Sequence, residues 1–138
     1  MTNVTLAQSY LIKAQKRLKI LDLLLTEEAY SDVVREAQEI VELALKGMLR
    51  QVGVEPPRWH DVSDLVLEHR SRFPDLVVER AEDLVRISRW LRKEREFSFY
   101  GDLDFIPTEQ YTSEDAQRAI RDAQFVVDTV QLVIRSDA

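Results

Sequence analysis

The chain has 138 residues, a formal net charge of −6, 45% hydrophobic and 32% charged residues, and no cysteine. That length predicts one domain with a sizeable core, and that balance a globular protein rather than a disordered one. The lack of Cys excludes disulfides, thiolate nucleophiles and Cys-based zinc sites, and the three glycines, Gly47, Gly53 and Gly101, are too few for a phosphate-cradling loop or a dinucleotide fingerprint.

An acidic chain does not coat duplex nucleic acid, so any such contact must come from a local basic patch. No apolar run approaches the roughly 20 residues that span a bilayer, and Met1–Tyr10 lacks the basic start and apolar centre of a signal peptide. The expected location is therefore cytoplasmic.

Val4–Leu25 repeats Ala7, Leu11, Ala14, Leu18, Leu21 and Leu25 at steps of three and four, which predicts an amphipathic helix. Thr26 followed by Glu27 and Glu28 offers an N-cap type and acids for a helix start, so a second helix is predicted from about Glu27 to Val52. Its stripe of Tyr30, Val33, Val34, Ala37, Val41, Ala44, Leu45 and Met48 is widened by Leu43 and Leu49, the pattern of a central helix, and Gly53 suits a left-handed stop. Gly47 on the flank either admits a neighbouring helix or is simply a tolerated small residue.

Pro56 and Pro57 make a rigid connector, after which a shorter helix over Asp61–Arg70 turns Val62, Leu65 and Val66 inward until Phe73-Pro74 breaks it. A fourth helix is predicted from Asp75 to Gly101, with Asp102–Tyr111 as a loop tacked down by Phe105, Ile106 and Tyr111. Thr112-Ser113-Glu114-Asp115 starts a last helix through Ala116, Ala119, Ile120, Ala123, Val127, Val130 and Ile134. No strand alternation competes, and the expected fold class is all-α, an antiparallel up-and-down bundle of about five helices.

One stretch stands apart: RISRWLRKEREFSFYGD, 86–102, where an acidic chain gathers Arg86, Arg89, Arg92, Lys93 and Arg95 among aromatics. On a helix, Leu84, Ile87 and Leu91 form an apolar stripe that continues to Arg95 and Ser98, which predicts Arg95 on the core side. A buried guanidinium is costly unless paired, so Arg95 marks a site, or else it snorkels at the helix end or pairs with Asp102 or Asp104. Away from the core stripes, Trp90 with Phe97 and Phe125 with Leu132 are spaced seven apart, which predicts a second buried surface, either a homodimer contact through the fourth and last helices or one covered by loops.

Four segments resemble the HEPN domain family, in its stand-alone archaeal or bacterial type. These are AYSDVVREAQEIVELALKGMLRQVGV over Ala29–Val54, RWHDVSDLV over Arg58–Val66, LRKEREFSFYGD over Leu91–Asp102, and YTSEDAQRAIRDAQFVVDTV over Tyr111–Val130. The resemblance implies a single HEPN-like helical domain over 1–138, nucleotide or RNA binding, frequent dimerisation, and a separately encoded minimal nucleotidyltransferase partner in toxin–antitoxin systems. Many members look like metal-independent ribonucleases with an Arg and a His a few residues on.

That His is absent here: Phe97, Ser98, Phe99 and Tyr100 fill the candidate positions after Arg92 and Arg95. A phenol, with a reference pKa of about 10, is a poor general base at neutral pH, so no catalytic residue is assigned. The surviving expectation is a phosphate-binding set of Arg92, Arg95, Tyr100 and Arg89, with Trp90, Phe97, Phe125 and Leu132 as dimer contacts and neither cofactor nor metal. Two alternatives remain: a ribonuclease with Tyr100 in place of the His, and an inactive interaction protein. His60, Asp64 and Glu68 lie too far apart along one helix face to share an ion readily, and Glu42 with Lys46 reads as an exposed pair.

Overall fold

The computed structural model describes residues 5–56, 58 and 61–134. The first helix, α1 (Leu6–Thr26), opens with a reciprocal capping box: the Gln8 N–H donates to Thr5 Oγ1 at 3.1 Å and the Thr5 N–H to Gln8 Oε1 at 2.9 Å. Thr26 does not cap the second helix as its sequence context suggests. It closes α1, its hydroxyl donating to the Asp22 carbonyl at 2.9 Å.

The chain needs Glu27–Ala29 for its reversal. The Ala29 N–H reaches back to the Leu24 carbonyl and the Glu28 N–H to that of Leu25, with Glu28 in the left-handed region at φ 58°. The second helix, α2 (Tyr30–Gln51), therefore starts three residues later than its acids imply and has no side-chain cap at Ala29. It ends as expected, with Gly53 at φ 83° and the Val54 N–H bonded to the Leu49 carbonyl.

α2 is the axis of the bundle: α1, α3 (Val62–Glu68), α4 (Asp75–Phe99) and α6 (Ser113–Gln131) all pack on it. Val33, Val34, Ala37, Ile40, Ala44, Leu45, Met48 and Leu49 are fully buried, so the widened stripe reflects neighbours on several sides. Gly47 is a contact point. A Cβ there would lie 3.0 Å from Tyr10 Cβ and 3.3 Å from the Ala7 carbonyl oxygen, so its missing side chain lets α1 approach.

α3 is capped by Asp61, whose Oδ1 accepts from the Ser63 N–H at 2.9 Å, and a 3₁₀ turn over Arg70–Arg72 leads through buried Phe73 into α4. Beyond α4 the chain folds back sharply: Gly101 adopts φ 70°, and a Cβ there would run into the Phe105 carbonyl oxygen and the Pro107 ring. Paired N–H···O bonds between Asp102 and Phe105 close this turn.

The predicted loop holds one further short helix, α5 (Pro107–Gln110), too brief to show a periodicity. Tyr111 is buried and Phe105 packs against the core, but Ile106 is exposed. Thr112 and Asp115 then form the capping box of α6. The architecture is all-α, with six α-helices and one 3₁₀ turn among the described residues, against about five helices expected.

Candidate functional site

The arginines of α4 form a ladder along the side that faces α2 and α3. Arg89 Nη2 donates to Asp64 Oδ1 of α3 at 3.0 Å. One turn on, Arg92 Nη1 stands 3.7 Å from Asp61 Oδ1, an oxygen already accepting from both the amide and the hydroxyl of Ser63. A further turn on, Arg95 Nη2 stands 3.7 Å from Glu39 Oε1 of α2.

The two 3.7 Å contacts are ion pairs beyond hydrogen-bond range. Arg92 Nη1 is buried without a hydrogen-bond partner, although about 38% of the side chain is exposed. Leu84, Ile87 and Leu91 are buried as their stripe predicts, and so is Ser98. Arg95 is not. It sits about 40° round the helix from Leu91, which is enough for its long side chain to leave the core and reach Glu39. Its partner is neither Asp102 nor Asp104.

Glu39 joins the ladder to the end of the helix. Its Oε1 also takes Arg35 Nη2 at 3.5 Å, the Arg35 guanidinium lies 4.8 Å from the centre of the Phe99 ring, and Phe99 meets Tyr100 edge-on at 4.8 Å. Tyr100 itself is largely exposed. Arg35 and Glu39 belong to the site only in three dimensions; their i,i+4 spacing on the flank of α2 was the one signal that they act as a pair.

Trp90 projects to the other side of α4, because two residues advance a helix by about 200°. It is half-buried against the core; its indole N–H donates to Asp122 Oδ2 at 2.9 Å, and the Arg118 guanidinium lies 4.1 Å from its ring centre. Glu94, one turn on, accepts the Tyr111 hydroxyl at 2.7 Å. Burial and this bond to a carboxylate hold the Tyr111 phenol well above its ordinary range.

Phe125 is also half-buried, under the Arg80 guanidinium at 5.2 Å, whereas Phe97 and Leu132 are exposed by nearly half. Phe97 lies at the C-terminal end of α4 against Phe105; Leu132 follows the end of α6 that Arg80 ties, through Thr129, to the start of α4. Phe99 and Tyr100 at the end of α4, and Leu103 and Ile106 after it, are exposed as well.

His60 lies outside the described residues. Among the described residues no group of three or more His, Cys, Asp or Glu could hold a metal ion, and Asp64, set aside with His60 and Glu68 as a metal ligand, is engaged with Arg89. Lys46 and Glu42 stand 4.0 Å apart as a pair, although both side chains are partly buried rather than exposed. No helix of the described residues is long and apolar enough to cross a membrane.

A model of the HEPN domain family matches residues 7–133. A candidate toxin of Methanocaldococcus jannaschii, MJ1304, is 27% identical over 136 residues, which cover 94% of this chain and 88% of that protein. The crystal structure of TT1696 from Thermus thermophilus matches with a TM-score of 0.71 at 23% identity, over 95% of this chain and 100% of that one. At that identity the likeness is one of fold.

Proposed function

Since the chain belongs to the HEPN domain family, we propose that it binds the phosphates of a nucleotide or an RNA through Arg92 and Arg95, with Arg89 beside them and Tyr100 as stacking or hydrogen-bonding partner. The observation behind this reading is the uneven engagement of the ladder. Arg89 is hydrogen-bonded at 3.0 Å, whereas Arg92 and Arg95 are held only at 3.7 Å; Arg92 Nη1 is buried, so a phosphate would meet the exposed part of the Arg92 guanidinium and that of the more exposed Arg95. Four guanidiniums, including Arg35, face three carboxylates, which keeps the strip positive in an acidic chain.

The biological setting that fits is a toxin–antitoxin pair, in line with the relative named as a candidate toxin, with a separately encoded nucleotidyltransferase as partner. A homodimer belongs to the same reading. Of the apolar residues predicted to form it, Trp90 and Phe125 carry arginines on their rings, so the end of α4, where Phe97 is exposed against Phe105 and Leu103 and Ile106 of the following segment are exposed, is the better contact. Leu132 lies at the far end of α6 from this patch. A dimer through the Phe97 end would bring two arginine ladders together.

Titration of labelled single-stranded RNA into Arg92→Ala and Arg95→Ala is the test. A loss of roughly 10-fold in affinity for each is expected for removal of a charge-assisted phosphate contact. Unchanged affinity in an Arg95→Ala protein with native helical content would overturn the assignment. A ribonuclease reading draws on the contact chain Arg95–Glu39–Arg35–Phe99–Tyr100, which links the ladder to an exposed hydroxyl. Cleavage of RNA that disappears in Tyr100→Phe would establish it, and no cleavage, or equal cleavage by that variant, would reject it.

A further inference from the structure

The side of α4 that faces α5 and α6 holds a cavity of about 230 Å³ lined by Trp90, Glu94, Phe105, Gln110, Tyr111, Asp115 and Arg118. That volume is below the roughly 300–1,000 Å³ typical of sites for drug-sized ligands, so it suits a head group rather than a whole nucleotide. Its walls are of two kinds. Trp90, Phe105 and Tyr111 supply aromatic rings, Phe105 and Tyr111 standing edge to face with centres 5.7 Å apart. Glu94 and Asp115 supply carboxylates.

Neither carboxylate has a cation within ion-pairing distance among the described residues. Glu94 takes only the Tyr111 hydroxyl, and Asp115 takes the Thr112 N–H and hydroxyl of the helix cap. Both sets of bonds come from neutral donors; the start of α6 offsets part of the Asp115 charge, whereas Glu94, near the C-terminal end of α4, has no such support. The arginines of α4 offer no charge to spare for them, since Arg86, Arg89, Arg92 and Arg95 are each paired with other acids.

The cavity also shows how a cation sits in it. Arg118 lays its guanidinium 4.1 Å from the centre of the Trp90 ring while pairing with Asp122 at 3.8 Å. The indole face is thus already used in the manner of an aromatic cage, whose quadrupole attracts a cation while nearby carboxylates set its position. The Arg118 side chain is about half exposed, so it can swing aside or stack alongside an incoming group.

The geometry points to this notch as a binding site for a guanidinium or primary ammonium group, seated between the Trp90 and Tyr111 rings and paired with Glu94 and Asp115. The source of the group is either the basic side chain of a bound protein or a free polyamine. This site lies on the opposite side of α4 from the arginine ladder and does not depend on the RNA-binding reading.

The test follows the indole N–H resonance of Trp90 in the full chain during titration with N-acetyl-arginine amide and, separately, with spermidine. Saturable shifts with either probe are expected, weakened roughly 5- to 30-fold in Glu94→Gln, which keeps an acceptor for Tyr111 but removes the charge. Arg118→Ala is expected to bind several-fold more tightly, because it removes the resident competing cation; a merely structural role for Arg118 would not raise affinity. A response to the arginine probe alone assigns the site to protein side chains, and a response to spermidine alone assigns it to polyamines. No saturable shift with either probe, or equal affinity in wild type and Glu94→Gln, would overturn the proposal.

Discussion

The two sides of α4 face away from each other across a single helix, and they are built on opposite electrostatic plans. Toward α2 and α3 run Arg89, Arg92 and Arg95, each against a carboxylate of a neighbouring element. Toward α5 and α6 lie Trp90 and Glu94, where the aromatic face carries a cation and the carboxylates lack one. The contrast follows from helix geometry: residues three or four apart share a face, so Arg89, Arg92 and Arg95 gather on one side of α4 while Trp90 and Glu94, four apart, gather on the opposite one. One side is suited to anions, the other to cations.

The largest break in this contrast should come from what both sides share. Leu91 is fully buried beneath them, and Leu91→Ala should lower unfolding free energy by about 2–5 kcal/mol in chemical denaturation, loosening both sides together. Next in size, a double Arg92→Ala, Arg95→Ala variant should reduce the slope of log affinity for RNA against log salt by about two, one for each phosphate that is no longer neutralised. The Trp90 indole resonance should not move in that variant, which would separate the two sides experimentally.

A smaller effect of opposite sign is expected from Glu39→Gln. It frees Arg35 and Arg95 from their shared acid, and because exposed pairs are worth about 0.2–1 kcal/mol, affinity for RNA should rise by up to about 5-fold in the same titration. Equal or weaker binding would mean that Glu39 orients the arginines rather than competing for them.

The smallest effect concerns Tyr111. Its phenol is raised above the ordinary value of 10.0, so the folded state holds its proton where the unfolded chain has lost it. The resulting stabilisation is complete below about pH 10 and is lost as pH climbs toward the raised value. Tyr111→Phe should flatten the fall in melting temperature across that alkaline window while leaving the RNA-facing side unaltered.

Much of the architecture was legible along the chain. The apolar stripe of α2, the Thr112 start of α6 and the stops at Gly53 and Gly101 all rest on interactions within one or two turns, which residue spacing records directly. Thr26 misled because a hydroxyl before two acids suits a helix start equally well in isolation, and the need to reverse the chain between α1 and α2 decided otherwise. α5 was invisible, since four residues carry no period.

The candidate site divides in the same way. The sequence by itself determined an all-helical bundle and the cluster of Arg89, Arg92, Arg95 and Tyr100, because periodicity and local charge are properties of neighbours in the chain. Only the tertiary structure decided that Arg95 leaves the core for Glu39, that Arg89 is tied to Asp64 across 25 residues, and that Trp90 meets Asp122 across 32. Those pairings depend on how the helices pack around α2, and side chains that meet only through space leave no spacing by which a linear sequence could announce them.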